Sequence, residues 1–244
     1  MQWKKLCTHT ILRNMFYNED IFNRTLMMLN EKQKQNLFSK SIIVFGVGGV
    51  GGSLVNMLAR AGIQNLTLVD FDKIDITNIN RQLVANTDNI GKVKVEELKT
   101  QLEIINPNIK VNSLCLKYGE DTANQIDLTK FDYIVDCIDD IKAKKLLILK
   151  AKEHKISLLC AMGAGNRFEG IPNFEIADIS KTSYDPIAKI LRKFCAEQGI
   201  KKLNVCYTKQ KATKFDCKTI GSMVYYVVNM ATVMCAKVIN DILN

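Results

Sequence analysis

Five glycines lie within seven residues, GVGGVGG at 46–52, between an apolar run and a stretch with helical spacing. Three of them fit the pattern G-x-G-x-x-G, and an aspartate follows 19 residues after the third. Glycines let backbone amides approach phosphate oxygens, a helix N-terminus attracts negative charge, and a carboxylate accepts hydrogen bonds from ribose hydroxyls. The pattern predicts a nucleotide site. The alternative is that the glycines are needed only for close packing of the helix. The predicted contacts are Gly46, Gly48, Gly49, Gly51 and Asp70.

The glycine pattern alone does not distinguish NAD from ATP, so the residues beyond Asp70 decide between them. The run DITNINRQ at 75–82 contains Asn78 and Arg81, and Lys94 stands at the start of a predicted helix. Attack on the α-phosphate of ATP builds negative charge that cations stabilise, whereas hydride transfer has no need for cations there. An arginine offers a planar fork of donors and a lysine a compact ammonium. Together these residues favour chemistry at the α-phosphate, although each alone also fits a solvated surface residue.

Strands and helices alternate between residues 41 and 164. Short apolar runs rich in β-branched residues predict strands at 41–45, 65–72, 110–116, 131–139 and 156–164. Helical spacing with Gly and Pro stop signals predicts helices at 53–62, 92–107 and 142–155. This alternation predicts an α/β fold with a Rossmann-like, doubly wound, mostly parallel sheet, helices on both faces and ligands at the carboxyl ends of the strands.

The regions on either side of this core differ from it in pattern. Residues 23–38 look helical, and the spacing in 165–218 is less regular apart from a helix that begins at Asp185 and Pro186. A last helix is predicted over about 222–243. We therefore expect one continuous globular unit with three parts: an N-terminal helical segment at 1–40, a nucleotide-binding core at 41–164, and a smaller basic C-terminal lobe with a final helix at 165–244.

Composition and cysteine usage indicate an ordered protein of a reducing compartment. Hydrophobic residues make up 47% of the 244 residues and charged residues 24%, which suits a chain with a sizeable core. Eight cysteines occur without a CxxC pair, and the N-terminus lacks a secretory apolar core, so a cytoplasmic location is expected. Cys206 and Cys217 are read as structural, with a redox role as the alternative. The uncharged stretch 219–236 predicts a buried or dimer-forming helix, and membrane association is the alternative.

Positive charge is concentrated in one part of the chain. The net charge is +9, and residues 140–218 alone carry 17 Lys and Arg against 8 Asp and Glu. A block of positive charge is typical of proteins that bind a polyanion such as nucleic acid, although it also promotes solubility.

The motifs GVGGVGG, LVDFDKIDITNINRQ, GKVK, INP and DCIDD together resemble the adenylating superfamily of ubiquitin-activating-type enzymes, over residues 24 to about 165. The resemblance implies ATP and Mg²⁺ as cofactors and a homodimer as the assembly. It also implies roles for single residues: Asp70 binds the ribose, Asp72 belongs to the nucleotide site, Asn78, Arg81 and Lys94 contact the phosphates, Asp139 holds Mg²⁺, and Arg24 enters the neighbouring subunit's site. Asp139 ends an apolar strand, but the adjacent Asp140 leaves the choice of metal ligand between the two open.

A second resemblance concerns the segment 161–194, AMGAGNRFEGIPNFEIADISKTSYDPIAKILRKF, which is similar to that of tRNA threonylcarbamoyladenosine dehydratases. The matching residues are Gly163, Gly165, Asp178, Lys181, Thr182, Asp185 and Pro186. This family implies an enzyme that adenylates the threonyl carboxylate of the modified adenosine and promotes its cyclisation, with tRNA as partner. The basic segment would then contact the phosphate backbone of the tRNA. The candidates for this contact are Lys181, Arg192, Lys193, Lys209 and Lys211. The family's usual pattern is not followed at 207–210, where the chain reads YTKQ.

Three rival interpretations remain at this stage. An adenylating enzyme that activates the C-terminal glycine of a ubiquitin-like or sulfur-carrier protein would share every motif of the core, and a sulfur-transfer or carrier protein would then be the partner. A nucleotide-binding adaptor without catalysis and an NAD-dependent oxidoreductase are further alternatives.

Overall fold

The short apolar runs form one seven-stranded sheet in the computed structural model, which describes residues 18–216 and 219–244. The strands are β1 Ser41–Phe45, β2 Asn65–Val69, β3 Lys110–Leu114, β4 Tyr133–Asp136, β5 Ser157–Ala161, β6 Phe174–Asp178 and β7 Asn204–Thr208. Their spatial order is β3-β2-β1-β4-β5-β7-β6, and every pair is parallel except β6 with β7. The chain leaves β1 toward β2 on one side and later returns to β4 on the other, which is the switch point of a doubly wound sheet.

Helices cover both faces of the sheet. The α-helices are α1 Asn18–Leu26, α2 Glu31–Ser39, α3 Gly49–Ala61, α4 Lys94–Ile105, α5 Ile141–His154, α6 Pro186–Glu197 and α7 Val224–Leu243. Successive side chains of a strand point to opposite faces. Accordingly Ile42 and Val44 of β1 join one core with α3, α4 and α7, while Ile43 and Phe45 join another with α5. The predicted α/β fold class is therefore confirmed.

The helical region predicted at 23–38 consists of two helices. Asn30 ends the connection between α1 and α2, and its side chain accepts a hydrogen bond from the backbone N–H of Gln33 at 2.9 Å. The Gln33 side chain in turn accepts from the backbone N–H of Asn30 at 3.1 Å. This reciprocal cap starts a new helix at Glu31, because it satisfies amides that a continuous helix would bond internally. Residues 1–17 of the predicted N-terminal segment lie outside the described residues.

The described part of the region 165–218, which is residues 165–216, is more regular than the sequence predicted. Its strands β6 and β7 extend the sheet beyond β5, so this region is built onto the sheet as its edge. Each strand has only five residues, and β6 runs directly into a turn capped by Asp178, whose Oδ1 accepts from the Ser180 N–H at 2.9 Å. Unlike the apolar run of β1, β6 (FEIAD) and β7 (NVCYT) mix polar with apolar residues, so they carry little strand signal in the sequence. The helix predicted to begin at Asp185 is confirmed as α6.

The final helix, α7, packs across α3. Its buried side includes Tyr226, Met230, Met234 and Val238, which join the core that covers β1. Within the described residues α7 is long and apolar enough to cross a membrane, by length and composition alone. Of the apolar stretch of this helix, 44% is buried in the fold. A core helix of this kind is what the sequence favoured over a membrane contact.

Candidate nucleotide-binding cleft

A cleft of about 560 Å³ opens at the carboxyl ends of the central parallel strands, on both sides of the switch point. This is where open α/β sheets bind ligands. The structure brings nearly all predicted nucleotide contacts to this cleft, which is lined by Gly46, Gly48, Gly49, Asp70, Asp72, Asn78, Arg81, Lys94 and Asp139.

The glycine turn is shaped by two close approaches of the backbone. Gly46 has a left-handed φ of 80°, and a Cβ there would lie 2.7 Å from the carbonyl oxygen of Cys137. A Cβ on Gly51 would overlap the carbonyl oxygen of Gly46. Gly51 is therefore needed for the turn itself and does not line the cleft, whereas Gly48 and Gly49 begin α3 and present its N-terminus to the cleft. The first amides of a helix have no partner within the helix, so this end suits phosphate oxygens.

Asp70 lies just after β2 with its carboxylate fixed by two backbone amides. Its Oδ2 accepts from the N–H of Val47 and its Oδ1 from the N–H of Asp72, both at 2.8 Å. The residue is 9% exposed and lines the cleft. The carboxylate thus joins the strand end to the glycine turn, and its remaining lone pairs suit hydroxyl donors such as those of a ribose.

Lys94 is held at the cleft by Asp72. The lysine Nζ lies 2.9 Å from Asp72 Oδ2, and its side chain is only 3% exposed against 48% for the aspartate. The backbone N–H of Lys94 also donates to the Asp72 carbonyl at 3.0 Å. A buried ammonium has lost much of its water, so a phosphate entering the cleft meets a cation that needs little further desolvation. Asp72, predicted in the nucleotide site, lines the cleft and positions Lys94.

Asn78 and Arg81 lie on the polar turn that follows β2. Asn78 is buried, and its Oδ1 accepts from the Asp75 N–H at 3.2 Å, which completes the cap of this turn. Arg81 Nη1 donates to the Thr77 carbonyl at 2.8 Å and to Asn80 Oδ1 at 2.9 Å. Among the described residues no carboxylate lies within ion-pair distance of Arg81, so the alternative of a surface salt bridge is not seen. Its other nitrogens are available to an anion in the cleft.

Asp139 and Asp140 have different environments. Asp140 caps α5, since its Oδ1 accepts from the Ala143 N–H at 2.9 Å. This hydrogen bond is the main cause that lowers the pKa of Asp140 below its ordinary value. Asp139 is exposed in the cleft, and no hydrogen bond or ion pair of its side chain occurs within the described part of the chain. Asp139 is therefore the carboxylate that is free to take a ligand.

The donor set fits Mg²⁺ bound together with a nucleotide. The described residues contain no group of three or more His, Cys, Asp or Glu that could hold a metal by themselves. Mg²⁺ commonly binds through one or two carboxylates plus the phosphates of its substrate. A single free carboxylate beside the glycine turn matches that mode.

An ion pair that the sequence analysis missed lies beneath the cleft. Lys144 Nζ is 2.8 Å from Asp136 Oδ2 and donates at 2.8 Å to the carbonyl of Ala161, and both charged side chains are at most 1% exposed. Although burial opposes the charged form, attraction by Asp136 raises the pKa of Lys144. The pair joins the ends of β4 and β5, whose following loops form two sides of the cleft. A lysine inside the stretch 142–145, with three lysines in four residues, gave no sign that it is buried.

Among the described residues that line the cleft, one carries a thiol, Cys137. Burial, with the Asp136 charge next to it, raises the pKa of Cys137 to about 12. Cys206 is also buried, and burial raises its pKa well above the ordinary range, which agrees with a structural role. Cys217 lies outside the described residues. A thiol with a raised pKa is a poor nucleophile at neutral pH.

The candidates for contact with tRNA lie on the surface of the C-terminal region, but not all are equally available. Lys181 is exposed, as is Lys211, whose Nζ lies 4.9 Å from the centre of the Tyr184 ring. Lys209 is paired with Glu175 at 2.9 Å and Lys193 lies 3.8 Å from Glu197. Arg192 donates through Nη1 to the carbonyl and hydroxyl of Thr182, so it anchors α6 to the preceding turn.

Arg24 lies on α1, exposed and away from the cleft of its own chain. Its predicted role requires a second subunit, so the geometry of one chain leaves that role a prediction.

The fold and the cleft define a nucleotide-binding α/β protein with two cations, one free carboxylate and a glycine turn facing the same space. The model of the ThiF family matches residues 22–243, and the chain belongs to this family. It is 39% identical over 181 residues to the tRNA threonylcarbamoyladenosine dehydratase of Bacillus subtilis, covering 74% of this chain and 71% of that protein.

The solved structures agree with the sequence comparison. The E. coli tRNA N6-threonylcarbamoyladenosine dehydratase in complex with AMP is similar with a TM-score of 0.86 at 27% identity, covering 92% of this chain and 94% of that chain. The complex of that enzyme with ATP gives a TM-score of 0.85 over the same shares. The resemblance predicted from the motifs is confirmed.

Proposed function

We propose that this chain is an ATP-dependent tRNA threonylcarbamoyladenosine dehydratase. It activates the threonyl carboxylate of the modified adenosine with ATP and promotes closure of a ring with loss of water. The proposal rests on one observation: Lys94, Arg81 and Asp139 line the same cleft as the glycine turn. Dehydratases of this type are similar to this chain in sequence and in fold, and one of them is solved with ATP and with AMP.

In the first step, a threonyl carboxylate oxygen attacks the α-phosphate and pyrophosphate leaves. The ammonium of Lys94 and the guanidinium of Arg81 stabilise the charge that develops on the phosphate oxygens, and the N-terminus of α3 adds partial positive charge. Asp70 holds the ribose. Asp139 would hold Mg²⁺, which supplies further charge neutralisation on the phosphates when it is bound. The product is an acyl-adenylate of the substrate.

In the second step, a carbamoyl atom of the same side chain attacks the activated carbonyl carbon. The bond from this carbon to the AMP oxygen breaks, a carbamoyl N–H proton is lost, and AMP leaves with one oxygen of the former carboxylate. Because nucleophile and electrophile belong to one molecule, the effective molarity is high and no protein nucleophile is needed. The raised pKa of Cys137, the thiol in the cleft, agrees with this route.

The assembly and the location are further parts of the proposal. Arg24 is exposed near Met27 and Met28, whose side chains are 80% and 78% exposed, and a homodimer would cover this apolar surface and bring the arginine to a partner's cleft. Six cysteines among the described residues are free thiols, which supports the reducing cytoplasm. The basic side chains of the C-terminal region support a tRNA partner, because phosphate contacts supply most of the affinity for such a ligand.

The proposed function is tested by mass analysis of nucleosides. Purified protein is incubated with ATP, Mg²⁺ and tRNA that carries threonylcarbamoyladenosine, and the digest is searched for the nucleoside that has lost one water. We expect this product, and we expect Lys94→Ala to lower kcat by about 100-fold, the scale for loss of one group that stabilises developing charge. The matched control is Lys99→Ala on the same helix, which lies outside the cleft.

The rivals predict different results in the same set of assays. Exchange of pyrophosphate into ATP that needs a carrier protein and ignores the modified tRNA would establish the carrier-activating enzyme. Binding of ATP and tRNA without any change in nucleoside mass would establish an adaptor.

A further inference from the structure

An aromatic and basic surface lies beside the cleft and is not used by the chemistry described above. It consists of Tyr184, 62% exposed, the ring pair Phe168 and Phe215, 44% and 50% exposed, and Lys211, and we call these four residues the aromatic rim. The two phenylalanine ring centres are 6.0 Å apart, and Lys211 Nζ lies over the tyrosine ring. Exposed aromatic side chains that lie against another ring or a cation, as in these two pairs, are typical of interaction surfaces.

The rim is fixed to the cleft through one buried arginine. Arg167 is 4% exposed, and its Nη1 donates to the carbonyls of Gly163 and Gly165, which line the cleft. Its Nε donates to the carbonyl of Gln210 at 2.9 Å, and its Nη2 lies 3.8 Å from Asp185 Oδ2.

Three members of the rim are chain neighbours of the Arg167 cluster. Phe168 follows the arginine itself, Tyr184 precedes Asp185, and Lys211 follows Gln210. The same Asp185 oxygen accepts from the N–H of Gly163 at 3.0 Å. The backbone positions of these three residues relative to the cleft are therefore set by part-buried hydrogen bonds of their neighbours.

The backbone of Tyr184 is unfavourable for a bulky residue. Its φ is 57°, in the left-handed region that glycine and asparagine tolerate far better than an aromatic residue. Such strain persists where surrounding structure imposes it and is found most often at functional sites. The conformation leaves the ring exposed, where it adds little to the core.

The chemistry of the rim matches unpaired nucleobases. Within the described residues Lys211 and Lys181 have no carboxylate within ion-pair distance, so both are available to phosphates. Aromatic rings interspersed with cations form the usual platform for single-stranded nucleic acid, because every base has a face that stacks. Two acidic residues, Glu169 and Asp216, are on the same segments and reduce the positive charge there. Stacking on the rings is therefore expected to contribute more to RNA binding at the rim than charge does.

We propose that the aromatic rim stacks on nucleobases of the anticodon loop next to the modified adenosine, while that adenosine enters the cleft. This inference rests on the proposed function. An adenosine that leaves the loop to reach a cleft breaks its own stacking and exposes its neighbours, and aromatic side chains replace the lost contacts. The rim is thus a specificity surface for the loop, separate from the groups that hold ATP.

The test measures RNA binding and turnover with anticodon stem-loop RNA, with and without the threonylcarbamoyl group. Tyr184→Asn removes the ring and suits the left-handed backbone, so it is expected to fold at least as well as the original chain. We expect it to raise the Kd and KM for RNA about tenfold, the scale of losing one stacked base, with the Kd for ATP unchanged. Tyr184→Trp retains a stacking face and is expected to stay within about twofold of the original chain.

Two controls lie on α4 and on the edge strand β3, at the opposite end of the sheet from β6. Ile104→Ala removes a side chain that is 65% exposed, and Lys110→Gln removes an exposed cation there. We expect neither to change the Kd for RNA, whereas Lys211→Gln should weaken RNA binding and reduce its salt dependence by about one counterion. A fluorescent base analogue beside the modified adenosine should be quenched by the original chain and by Tyr184→Trp but not by Tyr184→Asn.

The outcomes separate this inference from the proposed function. If the original chain dehydrates the modified RNA and Tyr184→Asn binds RNA as well as it does, the rim has no role and the inference is overturned. If Tyr184→Asn weakens ATP and RNA alike, the residue is structural and the inference is again overturned. If Tyr184→Asn weakens RNA binding alone while no dehydration occurs with any chain, the rim stands and the proposed function falls.

Discussion

Replacing Lys144 by methionine should cost this fold a large part of its stability. The lysine makes the only ion pair of Asp136 in the described structure, and the two side chains are 1% and 0% exposed. Without it, Asp136 keeps the hydrogen bond from the Ile138 N–H at 3.0 Å but remains a buried charge with no cation. Breaking a buried pair in this way costs about 3 to 5 kcal/mol, against a total of about 5 to 15 kcal/mol for a typical domain.

The measurement is urea unfolding at pH 7 for Lys144→Met, for Lys142→Met and for the double variant Asp136→Asn/Lys144→Met. Lys142 is exposed on the same helix, so its replacement should stay within about 0.5 kcal/mol of the original chain. The double variant should recover part of the loss, because no unpaired charge stays buried.

The pH dependence of this effect follows from the raised pKa of Lys144. Stability from the pair is complete below the lysine's ordinary pKa and is lost only as the pH rises through the raised value, so pH 7 lies well inside the stable range. A loss below about 1 kcal/mol for Lys144→Met, or a double variant no more stable than the single one, would refute this account of the pair.

Three further predictions concern the cleft. Gly51→Ala should abolish measurable ATP binding by calorimetry, since its methyl group overlaps the Gly46 carbonyl, whereas Gly119→Ala, with open space around it, should bind ATP normally. Cys137 should stay unmodified by iodoacetamide at pH 8 in the folded protein, because with a pKa of about 12 only about one thiol in ten thousand is ionised. In denaturant all eight cysteines should react. Asp140→Ala should destabilise the fold by about 1 kcal/mol through loss of the α5 cap, and it should leave the Mg²⁺ requirement unchanged. Asp139→Asn should instead raise the Mg²⁺ concentration needed for turnover, with little effect on stability. The contribution of the Asp140 cap should also disappear as the pH falls through its lowered pKa.

The glycine turn and the alternating elements could be predicted because they depend on local sequence. Only glycine suits the left-handed Gly46 and the close approach at Gly51, so the G-x-G-x-x-G spacing reports the turn directly. The buried strands are likewise continuous apolar runs. The added strands β6 and β7 could not be found in this way, since they contain polar residues and depend on pairing with each other and with β5.

The partners of charged residues within the site were harder to predict than the residues themselves. Lys94, Arg81 and Asp139 were found from motif and resemblance, but the ion pair of Lys94 with Asp72 depends on the tertiary fold. To predict that Asp140 caps α5 and that Asp139 is free, the start of α5 had to be known to within one residue. Arg167 and Lys144 were missed because a buried cation looks in sequence like any solvated one.

The central claim is that the substrate carboxylate is activated at the α-phosphate of ATP. The most direct measurement uses tRNA whose threonylcarbamoyl carboxylate is labelled with heavy oxygen, followed by mass analysis of the nucleotide products. The account predicts one heavy oxygen in AMP and none in pyrophosphate, because the carboxylate oxygen leaves on the α-phosphorus when the ring closes. Heavy oxygen in inorganic phosphate, with ADP as the nucleotide product, would contradict the account, since attack would then have occurred at the γ-phosphate.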